Sequence, residues 1–301
     1  MTSEKKIAIT GGTGLIGQAL AKRLNETGYE VLIISRDAEK GDIRWNLDKG
    51  FIEEERLEGL DAVFHLAGEP IARRWTGKAR EEIYRSRIES TRLLVEAFGR
   101  LKRPPSALFS ASGINYYKST DLGASLDEDG ENGDSFLSRV CLHWEEQARQ
   151  AERLGVRVCL LRTSAVLSPD GGVLGQLLPV FRKGMGGKVG NGKQPFSWIT
   201  LDDYVLACLH LINEEKAFGP YNLVAPGVVD NAEFVKTLGQ ALHKPAVVPL
   251  PAFAVKMSFG EMGRALLLEG VDARPVKLLG DGFTFSYPRL PEALGHLLPA
   301  N

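Results

Sequence analysis

Apolar and polar positions alternate through Lys6-Ile7-Ala8-Ile9-Thr10, run into Gly11-Gly12-Thr13-Gly14-Leu15-Ile16-Gly17, and resume at positions 16, 19, 20 and 24. A change to helical period across a glycine cluster predicts strand, tight turn and helix. The same alternation recurs along the chain. Gly28 stops the first helix and residues 30–34 form a second strand, Asp61 to Leu66 a third and Ala107 to Ser112 a fourth. Val156 to Ser164 has the fully apolar centre of a strand covered on both faces, and Gly219 to Val224 makes a sixth. Between these strands, Ile83, Ile88, Leu93, Leu94, Ala97 and Phe98 predict one long or two broken helices within 75–100. Further helices are expected from Phe136 to Arg153 and from Asp202-Asp203 to Ile212. Strand and helix in this order predict an α/β fold built on a doubly wound parallel sheet.

The remainder is less regular. Residues 115–134 read as a polar loop, and the glycine-rich stretch 168–192 as loops around one short helix at 174–183. That stretch is either a substrate-covering segment or an irregular connection. Beyond Pro226 the pattern predicts helices at 231–242 and 252–268, a short strand at 246–249, a strand from Gly282 to Tyr287 and a last helix at 291–298. The expected organisation is a dinucleotide-binding unit of residues 1–167 plus 196–225, with a smaller C-terminal α/β lobe of 168–195 plus 226–301.

The glycine turn is the first candidate for chemistry. Gly11 lets the chain leave the strand sharply, Gly14 removes the side chain where a pyrophosphate approaches backbone N–H groups, and Gly17 permits close packing of helix on strand. Cofactor type is decided at the end of the second strand. An acidic residue there grips a ribose 2′-OH, whereas Ser35 and Arg36 suit a 2′-phosphate; the reading is NADP, with Asp37 keeping NAD open. The end of the third strand, at Leu66-Ala67-Gly68, belongs beside the adenosine or ribose, and His65 within it reads as a core histidine.

Composition narrows the function classes. Of 301 residues 44% are hydrophobic and 25% charged, with a net charge of −1, so nothing favours nucleic acid or a membrane surface as partner. No apolar run reaches the roughly 20 residues that span a bilayer. Cys141, Cys159 and Cys208 form no CxxC pair, which leaves no zinc motif and no disulfide framework, and the expected compartment is the cytoplasm.

These motifs together resemble the extended short-chain dehydrogenase/reductase superfamily and, within it, the atypical epimerase family proteins. The resemblance spans essentially the full length. It rests on residues 11–17, Ser35-Arg36, His65-Leu66-Ala67-Gly68-Glu69-Pro70-Ile71, Trp75-Thr76, Ser110-Ala111-Ser112, Trp144-Glu145, Arg162-Thr163, Pro169-Asp170-Gly171-Gly172 and Phe196-Ser197-Trp198-Ile199. Gly260-Glu261-Met262 and Leu268-Glu269-Gly270 are similar to that subgroup's terminal domain. The resemblance implies a Rossmann fold and NADP binding by Gly11, Thr13, Gly14, Leu15, Ile16, Ser35 and Arg36. It further implies Leu66, Ala67, Glu82 and Arg87, with Val166 near the nicotinamide; Arg87 also fits a plain helix-face arginine.

The superfamily's proton donor is the tyrosine of Tyr-x-x-x-Lys, lowered in pKa by the lysine, with a serine holding the substrate oxygen. No tyrosine of this chain is followed four residues later by lysine. In register with Trp144-Glu145 the two positions hold Leu137 and Cys141. Ser112 remains as the candidate serine, and Tyr116 and Tyr117 as substitute donors or packing aromatics. Two readings follow: an NADP(H)-dependent oxidoreductase or epimerase of a small molecule, or an NADP(H)-binding sensor with little catalysis.

Overall fold

The computed structural model describes residues 5–37 and 39–299. The first four strands are β1 (Lys6–Thr10), β2 (Glu30–Ser35), β3 (Ile43–Asn46) and β4 (Phe51–Ile52). They are followed by β5 (Ala62–His65), β6 (Ala107–Gly113) and β7 (Arg157–Thr163), then the short β8 (Ala165–Ser168), β9 (Pro195–Phe196) and β10 (Trp198–Thr200). The last two are β11 (Gly219–Leu223) and β12 (Val229–Asp230). Eight of them form one sheet in the order β11-β7-β6-β5-β1-β2-β3-β4, parallel except where β4 runs antiparallel to β3. The chain builds outward from β1 in one direction through β4 and then in the other from β5 to β11, so the order reverses between β1 and β5. In such sheets that reversal opens a crevice at the carboxyl ends of the strands.

Helices cover both faces, as the apolar strands require. α1 (Leu15–Glu26) packs on one face through Leu20 and Leu24, together with a later helix that carries Val205, Ala207, Cys208 and Leu211. α2 (Gly77–Phe98) and α3 (Phe136–Arg149) cover the other, with Leu93, Leu94 and Ala148 in its core. α2 is unbroken over 22 residues and capped by the Thr76 hydroxyl, which accepts from the Ala79 N–H. α4 (Gly172–Arg182) forms within the glycine-rich stretch, and α5 (Leu201–Asn213) is the helix opened by the paired aspartates.

The C-terminal segment is helical: α6 (Asn231–Ala241), α7 (Ala252–Gly263), α8 (Val276–Gly280) and α9 (Leu290–Leu297). Phe234, Val235 and Leu238 of α6 bury against Leu290, Ala293 and Leu294 of α9 and against Trp198 in a core separate from the main sheet. Neither strand expected here forms. Residues 246–249 hold Pro249 and donate one backbone hydrogen bond, from Val248 N–H to the Gly186 carbonyl at 2.9 Å, before the isolated bridge Val189–Leu250, too little to make a strand. In 282–287 the alternation is real, since Phe283 and Phe285 are buried, but the N–H groups of Ser286 and Tyr287 donate to the Asp203 carboxylate at 2.8 and 3.0 Å instead of to a strand. Among the described residues no helix is long and apolar enough to cross a membrane.

Asp203 thus ties the C-terminal segment to α5. It is fully buried, so truncation leaves two backbone donors without a partner. Asp203→Ala is expected to lower the unfolding free energy by about 3 kcal/mol and Asp203→Asn by less, both read from urea midpoints.

Candidate functional site

The crevice begins where β1 and β5 end. Thr10 pairs with His65, His65 with Ser110 and Ser110 with Leu160, so one row crosses four central strands and everything beyond it lines the carboxyl edge. The Thr10 hydroxyl accepts from the N–H groups of Leu66 and Ala67, both at 3.1 Å, and donates to His65 Nδ1 at 2.7 Å. Ser90 Oγ spends its proton on the Ser86 carbonyl at 2.6 Å, so it accepts from His65 Nε2–H at 3.2 Å. This network assigns His65 as neutral with its hydrogen on Nε2. Burial, and secondarily the Arg87 charge, depress the imidazole to about 3.

Three glycines of the turn have three explanations. Gly11 adopts φ +70°, and a Cβ there would lie 2.9 Å from Ala67 N. At Gly17 a Cβ would meet the Gly11 carbonyl oxygen at 2.3 Å. Gly14 is exposed, has an ordinary φ of −84°, and its Cβ would meet only that same oxygen, at 3.3 Å. Packing therefore forbids a side chain at Gly11 and Gly17 and restricts one less at Gly14, whose single tight neighbour is that backbone oxygen and whose exposed face borders the α1 N-terminus. That N-terminus has no side-chain cap and no acidic residue in its first turn, so its N–H groups and partial positive charge face the opening. Thr13 is exposed beside it, Leu15 and Ile16 are half-buried, and the loop after β8 folds over Leu15 at Gly171 and Gly172.

The other expected ligand residues lie at the ends of β2 and β5, on α2 and in β8. Ser35 ends β2 and its Oγ accepts the Asp37 N–H at 3.1 Å. Arg36 is 76% exposed, its guanidinium 3.7 Å from the Glu69 carboxylate just past β5. Leu66 and Ala67 stand at the crevice lip, held by Thr10. Arg87 is enclosed: its Nη1 donates to the carbonyls of Glu69 and Ile83 at 3.0 and 3.1 Å, and its guanidinium lies over the Trp144 ring and against Gly68. Burial pulls it below the ordinary arginine value. Glu82 pairs with Arg73 at 2.9 Å and lies 3.9 Å from Lys78. Val166 sits in β8, paired with Ile199 of β10.

Two strands over, at the end of β6, the chemistry end is a closed polar network. Ser112 Oγ donates to Glu145 at 2.8 Å, and Arg162 grips the same carboxylate with two bonds, at 2.8 and 2.9 Å. The Arg162 and Glu145 side chains are 3% and 4% exposed. Burial alone would lower the Arg162 guanidinium, but hydrogen bonding and attraction to Glu145 outweigh it and hold it above its ordinary value. Arg162 also donates to the Tyr117 hydroxyl and the Glu128 carbonyl, and its plane lies 3.6 Å from the Tyr116 ring centre. Tyr117 in turn donates to Asn222 Oδ1 at 2.8 Å, and burial pushes its phenol up to about 12. Tyr116 is half-buried, and its hydroxyl has no hydrogen-bond partner among the described residues. Cys141 lies against Gly113, its thiol pushed up to about 11 chiefly by burial.

Glu128 is a site residue that the sequence reading did not single out, and Arg162 entered it only as part of a family motif, without an assigned role at the site. The available signal was a lone arginine in the apolar run Val158 to Leu161, since a charge in a strand covered on both faces must find a buried counter-charge. Glu128 gave none. It lies in a polar loop, and only the fold brings its carboxylate to the N–H groups of Asn222 and Lys277.

A strand-order reversal with a glycine turn at the reversal defines a doubly wound, dinucleotide-binding class of protein. The chain matches the NAD dependent epimerase/dehydratase family over residues 7–224 and DUF1731, a domain of unknown function, over residues 250–297. It is 39% identical over 293 residues to the epimerase family protein Mb2239 of Mycobacterium bovis, covering 96% of each chain. Against the human epimerase family protein SDR39U1, whose crystal structure contains NADPH, identity is 37%, coverage 97% of this chain and 99% of that one, and the TM-score 0.88. A nucleoside-diphosphate sugar epimerase from Corynebacterium glutamicum is 31% identical with a TM-score of 0.80, and this chain covers 58% of it. The chain belongs to the NAD dependent epimerase/dehydratase family, alongside the SDR39U1-like epimerase family proteins.

Two outcomes follow from the geometry. Removing one member of the buried pair, as in Glu145→Ala, is expected to cost about 3–5 kcal/mol in urea unfolding, while the Glu145→Leu/Arg162→Met double variant costs less than the sum of the single losses. His65 gives a pH dependence of definite sign. Its ring binds protons near 6.5 when unfolded and only near 3 when folded, so the stability tied to the neutral ring is complete above pH 6.5 and is lost as pH falls toward 3. A His65→Gln variant should therefore show a shallower acid loss of unfolding free energy between about pH 6.5 and 4 than the parent.

Proposed function

We propose that the crevice binds NADP(H) and that the protein is an NADP(H)-dependent oxidoreductase or epimerase of a small molecule. The observation that carries this is the α1 N-terminus, uncapped by any side chain and free of acidic residues in its first turn, opening at the exposed Gly14 where the strand order reverses. The choice of phosphorylated cofactor is supported by Ser35 and the exposed Arg36 at the end of β2, and by the NADPH in the human relative. Backbone N–H groups at residues 13–17 would take the pyrophosphate, Arg36 the 2′-phosphate, Leu66 and Ala67 the adenosine side, and Val166 the nicotinamide side. Glu82 and Arg87, from α2, stand behind the β5 lip. Reduced thiols in all three cysteines fit a cytoplasmic protein.

When bound, the cofactor supplies or accepts a hydride. This chain's residues must then hold the substrate oxygen and manage its proton. Ser112 directs its own hydrogen to Glu145, so on this reading its Oγ would serve only as an acceptor from a substrate hydroxyl. A proton taken there can pass on to the Glu145 carboxylate behind it. Tyr117 is committed on both sides and holds the Tyr116 loop in place, which leaves Tyr116 as the tyrosine with an uncommitted hydroxyl.

The sensor reading has a specific observation in its favour: the serine, the glutamate and Tyr117 are locked to one another, and a buried thiol stands where the superfamily has its lysine. Two measurements separate the readings and test the site. Fluorescence titration is expected to give tighter binding of NADPH than NADH, with Arg36→Ala weakening NADPH about tenfold and NADH little. Gly14→Val should weaken both without lowering the melting temperature; tighter NADH binding by the parent would reverse the cofactor assignment. Across a panel of carbonyl substrates, Ser112→Ala should lower NADPH oxidation by at least about a hundredfold at unchanged NADPH affinity, and no turnover by the parent would favour the sensor.

A further inference from the structure

The C-terminal segment carries a groove of about 860 Å³ that lies apart from the dinucleotide crevice, within the size range of small-molecule sites. One wall is the stripe Ala232, Val235, Lys236, Gly239 and Gln240, successive positions on a single face of α6. The other is the extended run through Ala246, Val247 and Pro249, and Lys188 closes one side. Three features define what it can hold. Lys188, Lys236 and Lys244 all line it and all are exposed, and among the described residues none of them forms an ion pair. No acidic side chain lines it. Its floor is aliphatic and contains no aromatic ring apart from His243, and Gln240 is the only neutral polar side chain.

A backbone feature points the same way. α6 ends with Lys244 N–H donating to the Gly239 carbonyl and His243 N–H to that of Gln240, a helix stop whose left-handed position is normally glycine. Here that position holds His243 at φ +52°, the one non-glycine residue with positive φ among those described, and its side chain lines the groove. A side chain kept at a strained position where glycine would serve suggests that the imidazole is used. Val247 beside it is 77% exposed, an aliphatic surface with no covering in the chain.

We infer that this groove binds an aliphatic anion, an unbranched acyl or alkyl chain bearing a carboxylate or phosphate. The lysines and His243 take the head and the Ala232, Val235, Ala246 and Val247 surface takes the chain. The lack of a stacking platform disfavours a nucleotide, and the near absence of neutral hydrogen-bonding groups disfavours a sugar. Such an anion could arrive free or as part of a lipid surface; a single groove walled by α6, the 246–249 run and Lys188 favours the free molecule.

Calorimetric titration of the full chain with decanoate and decyl phosphate below their micelle concentrations tests this. Saturable binding at one site is expected, weakened at least about tenfold in the Lys188→Gln/Lys236→Gln/Lys244→Gln variant and by Val247→Asp. Melting temperature and NADPH affinity should stay as in the parent, which separates this proposal from the cofactor assignment. The inference is overturned if the lysine variant binds decanoate as the parent does, or if inorganic phosphate alone binds equally well. Binding of decyl glucoside equal to that of decanoate would also overturn it, as would association seen only with anionic phospholipid vesicles.

Discussion

Two neighbouring strands must end side by side without closing the space above them. At the carboxyl ends of β1 and β5 the chain diverges in opposite directions, and the backbone groups there lose their sheet partners. The Thr10 hydroxyl resolves this by accepting the N–H groups of Leu66 and Ala67 from within β1, and His65 fixes the hydroxyl's direction by accepting its proton. The lip is thus held from below, by a side chain one residue deeper than the opening. Gly11 can then pass within contact of Ala67, and the α1 N-terminus is left facing open space. The arrangement requires a neutral imidazole, and complete burial between Trp45 and Trp144 supplies that condition.

The chemistry end obeys a different constraint. Ionised partners removed from water recover their desolvation cost only through good geometry and satisfied neighbours. Arg162 meets that demand with two bonds to Glu145, one to Tyr117 and one to the Glu128 carbonyl, leaving Ser112 to complete the carboxylate. The result joins α3, β6, β7, the loop after β6 and, through Asn222 and Arg274, the C-terminal segment. A network of this kind contributes less to net stability than to choosing one position for the loop that carries Tyr116.

Legibility in the sequence followed the range of the interactions involved. The long strands and helices were readable because their apolar periods are local, and the cradle because turn, spacing and helix lie within a dozen residues. What escaped were features decided by distant partners. β8, β9, β10 and β12 are two to four residues long and carry no period of their own. Residues 282–287 show a strand's alternation, yet their N–H groups go to Asp203, some eighty positions away, and no local pattern could announce that. Tyr117 looked as available as Tyr116; only the approach of Arg162 and Asn222 distinguishes a locked phenol from a free one.

The two ends of the crevice therefore differ in how they are made. The cradle is main chain, held by the Thr10 and His65 side chains and by glycines whose roles are steric. The other end is mostly side chain, with Ser112, Glu145, Arg162 and Tyr117 linked one to the next. Ser112 is the point where this matters most: its hydrogen is held by Glu145, so its buried oxygen is left only as an acceptor. On the enzyme reading proposed above, a chain with Leu137 and Cys141 in the tyrosine and lysine positions would keep its nucleotide site while its proton chemistry ran through a serine and a buried carboxylate. The Arg162 ion pair opposes that transfer, because a protonated Glu145 would leave the guanidinium without its counter-charge. On that reading, proton uptake at Ser112 would favour a substrate whose hydroxyl is already acidic.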